Sequence, residues 1–176
     1  MAEATHLANE EQAHFLAQLV EGAVGPLSGK TVALWGLAFK PETDDVREAP
    51  AVKLAEALIA RGARVVGNDP EAGRTFAKAM AHHGPKVSVV DGEYDALDGA
   101  HALVLLTEWR SYRAPNFAEV RKRLVGGSGG QAPVVVDARN IWRPWDVIRA
   151  GLRYQGIGVP AVAEAPGTGP STTQLR

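Results

Sequence analysis

Three short segments carry the residue types from which a binding site could be built. The first is Gly36-Leu37-Ala38-Phe39-Lys40-Pro41-Glu42-Thr43-Asp44-Asp45-Val46-Arg47-Glu48-Ala49-Pro50. It puts two cations, Lys40 and Arg47, on one loop. Such a pair can grip a diphosphate, arginine through its planar fork and lysine as a point charge. The alternative is a solvated loop in which Arg47 pairs with a neighbouring aspartate or glutamate; exposed pairs of that kind are common and weak. The second segment is Thr107-Glu108-Trp109, where Trp109 suits a core or a subunit contact better than a ligand platform. The third is Asp137-Ala138-Arg139-Asn140. Arg139 there can reach a phosphate or a base carbonyl, or remain a plain surface arginine.

Other chemistry is disfavoured. A dinucleotide fingerprint needs G-x-G-x-x-G after the first strand and an acid about 20 residues further on. The first loop has a single glycine, and the next strand-end acid, Asp69, lies too far along. No self-contained NAD site is therefore expected. Asp69-Pro70 reads as a cap on a helix that begins with proline. His82-His83 has no carboxylate or cysteine beside it in the sequence, so it reads as a surface feature at a helix end and no metal site is expected. The chain contains no cysteine, which excludes disulfides, thiolate metal sites and a cysteine nucleophile. No catalytic residue is assigned.

The elements that must position these loops follow from hydrophobic periodicity. Residues 7–24 form an amphipathic helix through Leu7, Phe15, Leu16, Leu19 and Val20, ended by Gly22, Gly25 and Pro26. Its stripe faces either the domain behind it or a partner chain. Apolar runs predict strands at 31–36, 64–68, 86–90, 101–107 and 133–137, with a last short strand at 152–157. Helical patterns separate them at 50–62, 71–82, 116–124 and 144–150. Pro50 is an allowed first-turn proline and Gly62 a C-terminal glycine. Gly126-Gly127-Ser128-Gly129-Gly130 is a flexible loop. Strands alternating with helices imply a three-layer Rossmann-like α/β domain, with a mostly parallel sheet of five or six strands preceded by one helix. Ligands bind such sheets at the carboxyl ends of the strands. The loops after residues 36, 107 and 137 then share one rim.

The chain has 176 residues, 45% of them hydrophobic, and a net charge of −1. That suits one α/β domain with flanking segments and gives no reason to expect a nucleic-acid partner. The start of the chain is polar and acidic, unlike a signal peptide, and no apolar stretch approaches membrane-spanning length. A soluble, cytoplasmic protein is expected, organised as an N-terminal helix at 1–27, an α/β domain at 28–158 and a disordered tail at 159–176.

These segments together resemble a known family. The stretch 36–50 is similar to the G-L-A-F-K-P-x-T-D-D-x-R-E-A/S-P signature of the UDP-glucose/GDP-mannose dehydrogenase C-terminal domain. Thr107-Glu108-Trp109 with Tyr112-Arg113 resembles its T-E-W-x-x-F/Y-R segment, which leans towards the UDP-glucose branch. Asp137-Ala138-Arg139-Asn140 resembles D-G-R-N, and Tyr154-Gln155-Gly156-Ile157-Gly158 the terminal Y-x-G-I-G. The resemblance runs in order over about residues 8–158.

The resemblance implies roles. Phe39 and Lys40 would sit at the sugar–diphosphate end of a UDP-sugar, and Arg139 would hold its nucleotide or diphosphate. Arg47 would face an NAD bound mainly by another domain. The 7–24 helix would end a long inter-domain helix along which family members dimerise, leaving Phe15, Leu16 and Leu19 partly exposed. The whole enzyme would oxidise UDP-glucose to UDP-glucuronate in two NAD-dependent steps, with a catalytic cysteine in an N-terminal half that these residues do not include. Alone, the chain is expected to be inactive. The alternative is a stand-alone nucleotide-sugar-binding or dimerisation module. Ala138 departs from the family's glycine, which matters only if that position has positive φ.

Overall fold

A computed structural model of the chain describes residues 2–159, with side chains from Glu10 onward except Ser128. The N-terminal helix α1 spans Ala2–Val24. It is followed by β1 (Thr31–Trp35), α2 (Pro50–Ala60), β2 (Arg64–Asn68), α3 (Gly73–Ala79) and β3 (Val87–Val89). The second half runs β4 (Ala102–Leu105), α4 (Phe117–Arg123), β5 (Val134–Asp137), α5 (Pro144–Arg149) and β6 (Arg153–Gly156). The expected tail lies almost wholly outside the described residues.

All six strands are parallel, in the order β3-β2-β1-β4-β5-β6. The Rossmann-like α/β architecture expected from the alternation is therefore present. Val32–Trp35, Ala102–Leu105 and Val134–Val136 are buried along their whole length, as strands covered on both faces must be. The order runs outward from β1 to β3, then outward the other way from β4 to β6. With right-handed crossovers, that reversal puts α2 and α3 on one face and α4 and α5 on the other. It also opens a crevice between the loops after β1 and β4.

Two expectations needed correction. The helix predicted at 71–82 stops at Ala79, and Ala81–Lys86 turns as a 3-10 segment. Gly84 there takes φ 56°, and Pro85 follows it. Proline lacks an N–H and drives the residue before it out of helical conformation. The second correction concerns α1. Leu16, Ala17, Val20 and Val24 are buried in the domain's own core, with α1 lying against α2. Leu16 is not left exposed as expected; Phe15 is, at 48%, and Leu19 is partly so. The end of α1 is pinned by Arg153, which donates to the Ala23 carbonyl at 2.7 Å, and by an Arg61–Glu21 ion pair at 3.4 Å.

Beneath the rim sits an aromatic cluster. Trp35 stacks on Tyr112 at 5.0 Å and meets Tyr94 and Trp142 edge-on at 5.8 and 6.2 Å. Each buried polar tip has a partner, as burial requires. Trp35 Nε1 donates to the Glu93 carbonyl, Trp142 Nε1 to the Tyr112 carbonyl, and the Tyr112 hydroxyl to Asn68. Burial pushes the Tyr112 hydroxyl pKa far up, so it remains a donor.

Candidate functional site

The loops after β1, β2 and β4 are tied into one unit by a single carboxylate. Asp69, 8% exposed, follows β2 directly. Its Oδ2 accepts from the backbone N–H groups of Leu37 and Ala38 at 2.7 and 3.0 Å, and from Trp109 Nε1 at 3.0 Å. Its Oδ1 accepts from the N–H groups of Glu71 and Ala72 at 2.9 and 2.8 Å. Asp69 is expected to cap a helix beginning at Pro70, but α3 begins at Gly73 with Ala72 at its N-cap and no side-chain cap; the contacts to residues 71 and 72 close the turn ahead of it. The other three were not legible locally. They fix the start of the 36–49 loop and bury Trp109 as a structural residue.

A second tie runs directly between the β1 and β4 loops. Thr107 Oγ1 donates to the Ala38 carbonyl at 2.7 Å. Gly36 lies against the same threonine with φ 88°. A Cβ on Gly36 would stand 2.5 Å from both Thr107 Cβ and Thr107 N. The loop's one glycine thus serves this close approach.

Asp137 organises the β5 turn in the same manner. It is fully buried. Its Oδ1 accepts from the Arg139 N–H at 3.1 Å, and its Oδ2 from the Trp142 N–H at 2.8 Å and the Tyr154 hydroxyl at 3.2 Å. Asn140 takes φ 52° and pairs with Ile157 through both amide atoms, each at 3.0 Å. Ala138 is not among the positive-φ residues. Alanine in place of glycine is therefore unstrained, and asparagine, which tolerates that region, takes the left-handed position instead.

The predicted cations are presented on this frame in different ways. The Arg139 guanidinium pairs in a fork with Glu108: Nε to Oε2 at 2.6 Å and Nη2 to Oε1 at 2.9 Å. That contact lowers the Glu108 pKa and aims Arg139 across the β4–β5 junction. Glu108 was quoted in the sequence segment but not assigned this role. Arg47 forks onto Asp45 at 3.0 and 2.8 Å with its side chain 89% exposed, as in the solvated-loop alternative. The same guanidinium holds Asp45 down at about 2. Phe39 is 55% exposed. Lys40 is exposed, and no ion pair to it is found among the described residues.

Asp69 and Asp137 are the structural residues that motif reading missed as organisers. A signal existed for both: each is an aspartate at the end of a buried apolar strand, followed by a turn. For the histidine pair, the structure adds what the sequence lacked. Glu56 of α2 comes to His82 and His83, with one ligand atom from each of the three within 4.8 Å of the others.

Similarity to known proteins matches this geometry. The sequence profile of the UDP-glucose/GDP-mannose dehydrogenase family, UDP binding domain, matches residues 33–144. A UDP-glucose 6-dehydrogenase of Pseudomonas aeruginosa is 44% identical over 140 residues, covering 77% of this chain and 29% of that protein. One from Rhizobium meliloti is 34% identical over 161 residues, 91% of this chain and 35% of that protein. Among solved structures, a UDP-glucose dehydrogenase from Pyrobaculum islandicum superposes with a TM-score of 0.64 at 31% identity, over 85% of this chain and 29% of that one. The chain thus spans about a third of the length of these relatives. Among the described residues, no helix is long and apolar enough to cross a membrane.

Proposed function

The chain belongs to the UDP-glucose/GDP-mannose dehydrogenase family, whose C-terminal UDP-binding domain it carries, and from that premise we propose that its strand-end rim holds the UDP-sugar during NAD-dependent oxidation of UDP-glucose to UDP-glucuronate. The observation that carries this reading is the presentation of Arg139. Its backbone is fixed by Asp137 and its guanidinium is pre-aimed by Glu108. Phosphate oxygens fit the same fork that Glu108 now occupies. Lys40 supplies a point charge towards the diphosphate, and the exposed Phe39 ring an apolar surface beside the sugar. Arg47, forked onto Asp45 of its own loop, is assigned to the NAD side.

The residues present do not fit a self-contained NAD site. Gly36 is used up by its approach to Thr107. The α2 helix begins at Pro50 after Ala49, with no side-chain cap, and proline offers no N–H to a pyrophosphate. With no cysteine in the chain, the hydride acceptor and the group that captures the aldehyde are both assigned to other protein surface. These residues bind and orient the nucleotide sugar.

The test is calorimetry with UDP on the chain and two variants. Half a cleft leaves much of a ligand hydrated, so the expected Kd is weaker than about 1 µM. Arg139→Ala should cost about 1.5–3 kcal/mol, the loss of a hydrogen bond to a charged group. Arg47→Ala should change UDP affinity little. Equal losses in the two variants would sink the assignment, and a sub-micromolar Kd would show that these residues already enclose the ligand.

A further inference from the structure

We propose that Glu56, His82 and His83 form a binding site for a divalent first-row transition-metal cation, zinc(II) foremost, that clips α2 to the segment leading into β3. Two histidines and a carboxylate are donors suited to zinc, nickel or copper, and poor for magnesium or calcium, which prefer all-oxygen shells. One donor atom from each residue lies within 4.8 Å of the other two. Zinc bonds of about 2.0–2.1 Å in a tetrahedron put ligand atoms roughly 3.4 Å apart. The side chains must therefore close by about an ångström. Glu56 and His82 are exposed and free to rotate by that much.

The second observation is an orphaned atom. His83 Nε2 is buried and has no hydrogen-bond partner, although buried polar atoms nearly always have one. Coordination of His83 would relieve a defect that the protein alone leaves standing. The backbone holding the pair is fixed: the His83 N–H donates to the Met80 carbonyl at 3.0 Å, and the Gly84-Pro85 turn follows. The two rings already lie 4.0 Å apart, centroid to centroid. Lys86 is the opposing charge nearby, and Glu56 offsets it. Three protein donors leave the fourth position to water. His82 and His83 precede the amino end of β3, so the site lies towards the opposite end of the sheet from the nucleotide rim, and its role is structural.

The experiment is zinc titration of the untagged, chelator-stripped chain by calorimetry, with magnesium as control. One zinc per chain should bind, and the thermal midpoint should rise with zinc. His82→Ala, His83→Ala and Glu56→Gln should each weaken binding by at least the roughly 10–100-fold that loss of even a supporting contact costs a metal site, and abolish the thermal shift. His14→Ala and His101→Ala should leave both unchanged. His82 is exposed, so its variant tests the site without disturbing the fold. A Kd for zinc weaker than about 1 mM, binding that survives the His82/His83 double substitution, or binding abolished by His14→Ala would each overturn the proposal.

Discussion

Replacing Asp69 tests whether one carboxylate holds the rim together. Asp69→Ala strips the partner from five donors: the N–H groups of Leu37, Ala38, Glu71 and Ala72, and Trp109 Nε1. A hydrogen bond to a charged acceptor contributes about 1.5–3 kcal/mol, and a buried donor left unpaired costs about 1–3 kcal/mol. Straight addition would exceed the stability of most domains, and neighbouring contacts do not add. Glu71 lies near solvent and its N–H can recover water. The Leu37, Ala38, Ala72 and Trp109 donors sit in the interior and cannot. Four buried losses with partial relaxation give about 4–5 kcal/mol, at the top of the single-mutant range. Asp69→Asn sharpens the test because its shape is unchanged. The amide has one oxygen, which can serve either the three-donor side or the two-donor side. Keeping the three-donor side sacrifices the bonds to Glu71 and Ala72, for about 2–3 kcal/mol. Urea unfolding followed by tryptophan fluorescence reads both values. A loss below about 1 kcal/mol for either variant would refute the claim that this carboxylate organises the loops. Asp69→Ala should also weaken UDP binding, since the loop carrying Lys40 starts at Leu37 and Ala38, which the carboxylate holds.

Gly36→Ala should destabilise the chain by about 3 kcal/mol or more, combining left-handed strain with overpacking, because its Cβ would stand 2.5 Å from Thr107; a cost under about 1 kcal/mol in urea unfolding would mean the two loops part easily. The Asp45 carboxyl should titrate at about 2 by carbon-13 NMR, below its ordinary 3.8, owing first to the Arg47 side-chain hydrogen bond and then to the Arg47 backbone N–H. Because the folded value is depressed, the pair's contribution is complete above 3.8 and is lost as pH falls through about 2. Arg47→Ala should move the midpoint back up, and a wild-type midpoint near 3.8 would show that the fork does not persist in solution.

Much of the fold was written locally. Buried parallel strands appear as unbroken apolar runs such as Val134-Val135-Val136, and glycines and prolines punctuate them. The rim was legible too, because motif and strand end coincide at residues 36, 107 and 137. What sequence could not supply was contact across the sheet. Asp69 meets residues 37, 38 and 109 only because β2 and β4 flank β1. Glu108 meets Arg139 because β4 adjoins β5, and Glu56 meets the histidines through packing of α2. The helix expected to reach residue 82 instead passes into a 3-10 turn at Ala81, ahead of the Gly84-Pro85 break. What covers α1 stays open in the sequence for a global reason: periodicity says which residues share a stripe, not what packs on it, and of the three residues expected exposed only Leu16 is buried.

The rim's cations are not equivalent, and their differences bear on how tightly the proposed site would bind. Arg139 and Arg47 each enter binding already engaged by a carboxylate. Pre-aiming removes part of the roughly 2 kcal/mol of rotamer entropy an arginine carries. The phosphate must then displace Glu108, and an ionised carboxylate close by repels the incoming anion. In exposed surroundings the lost surface pair, about 0–1 kcal/mol, offsets part of the roughly 1.5–3 kcal/mol that a charged contact to phosphate contributes. Lys40 has no such competitor among the described residues, but an exposed ammonium is strongly hydrated. Neither Arg139 nor Lys40 therefore yields tight binding while water reaches it. Covering the rim changes the balance: the lowered dielectric strengthens the contacts to phosphate, and Glu108 can swing outward to solvent. If the rim holds a nucleotide sugar as proposed, affinity should therefore come chiefly from whatever surface closes over it, while the rim fixes orientation.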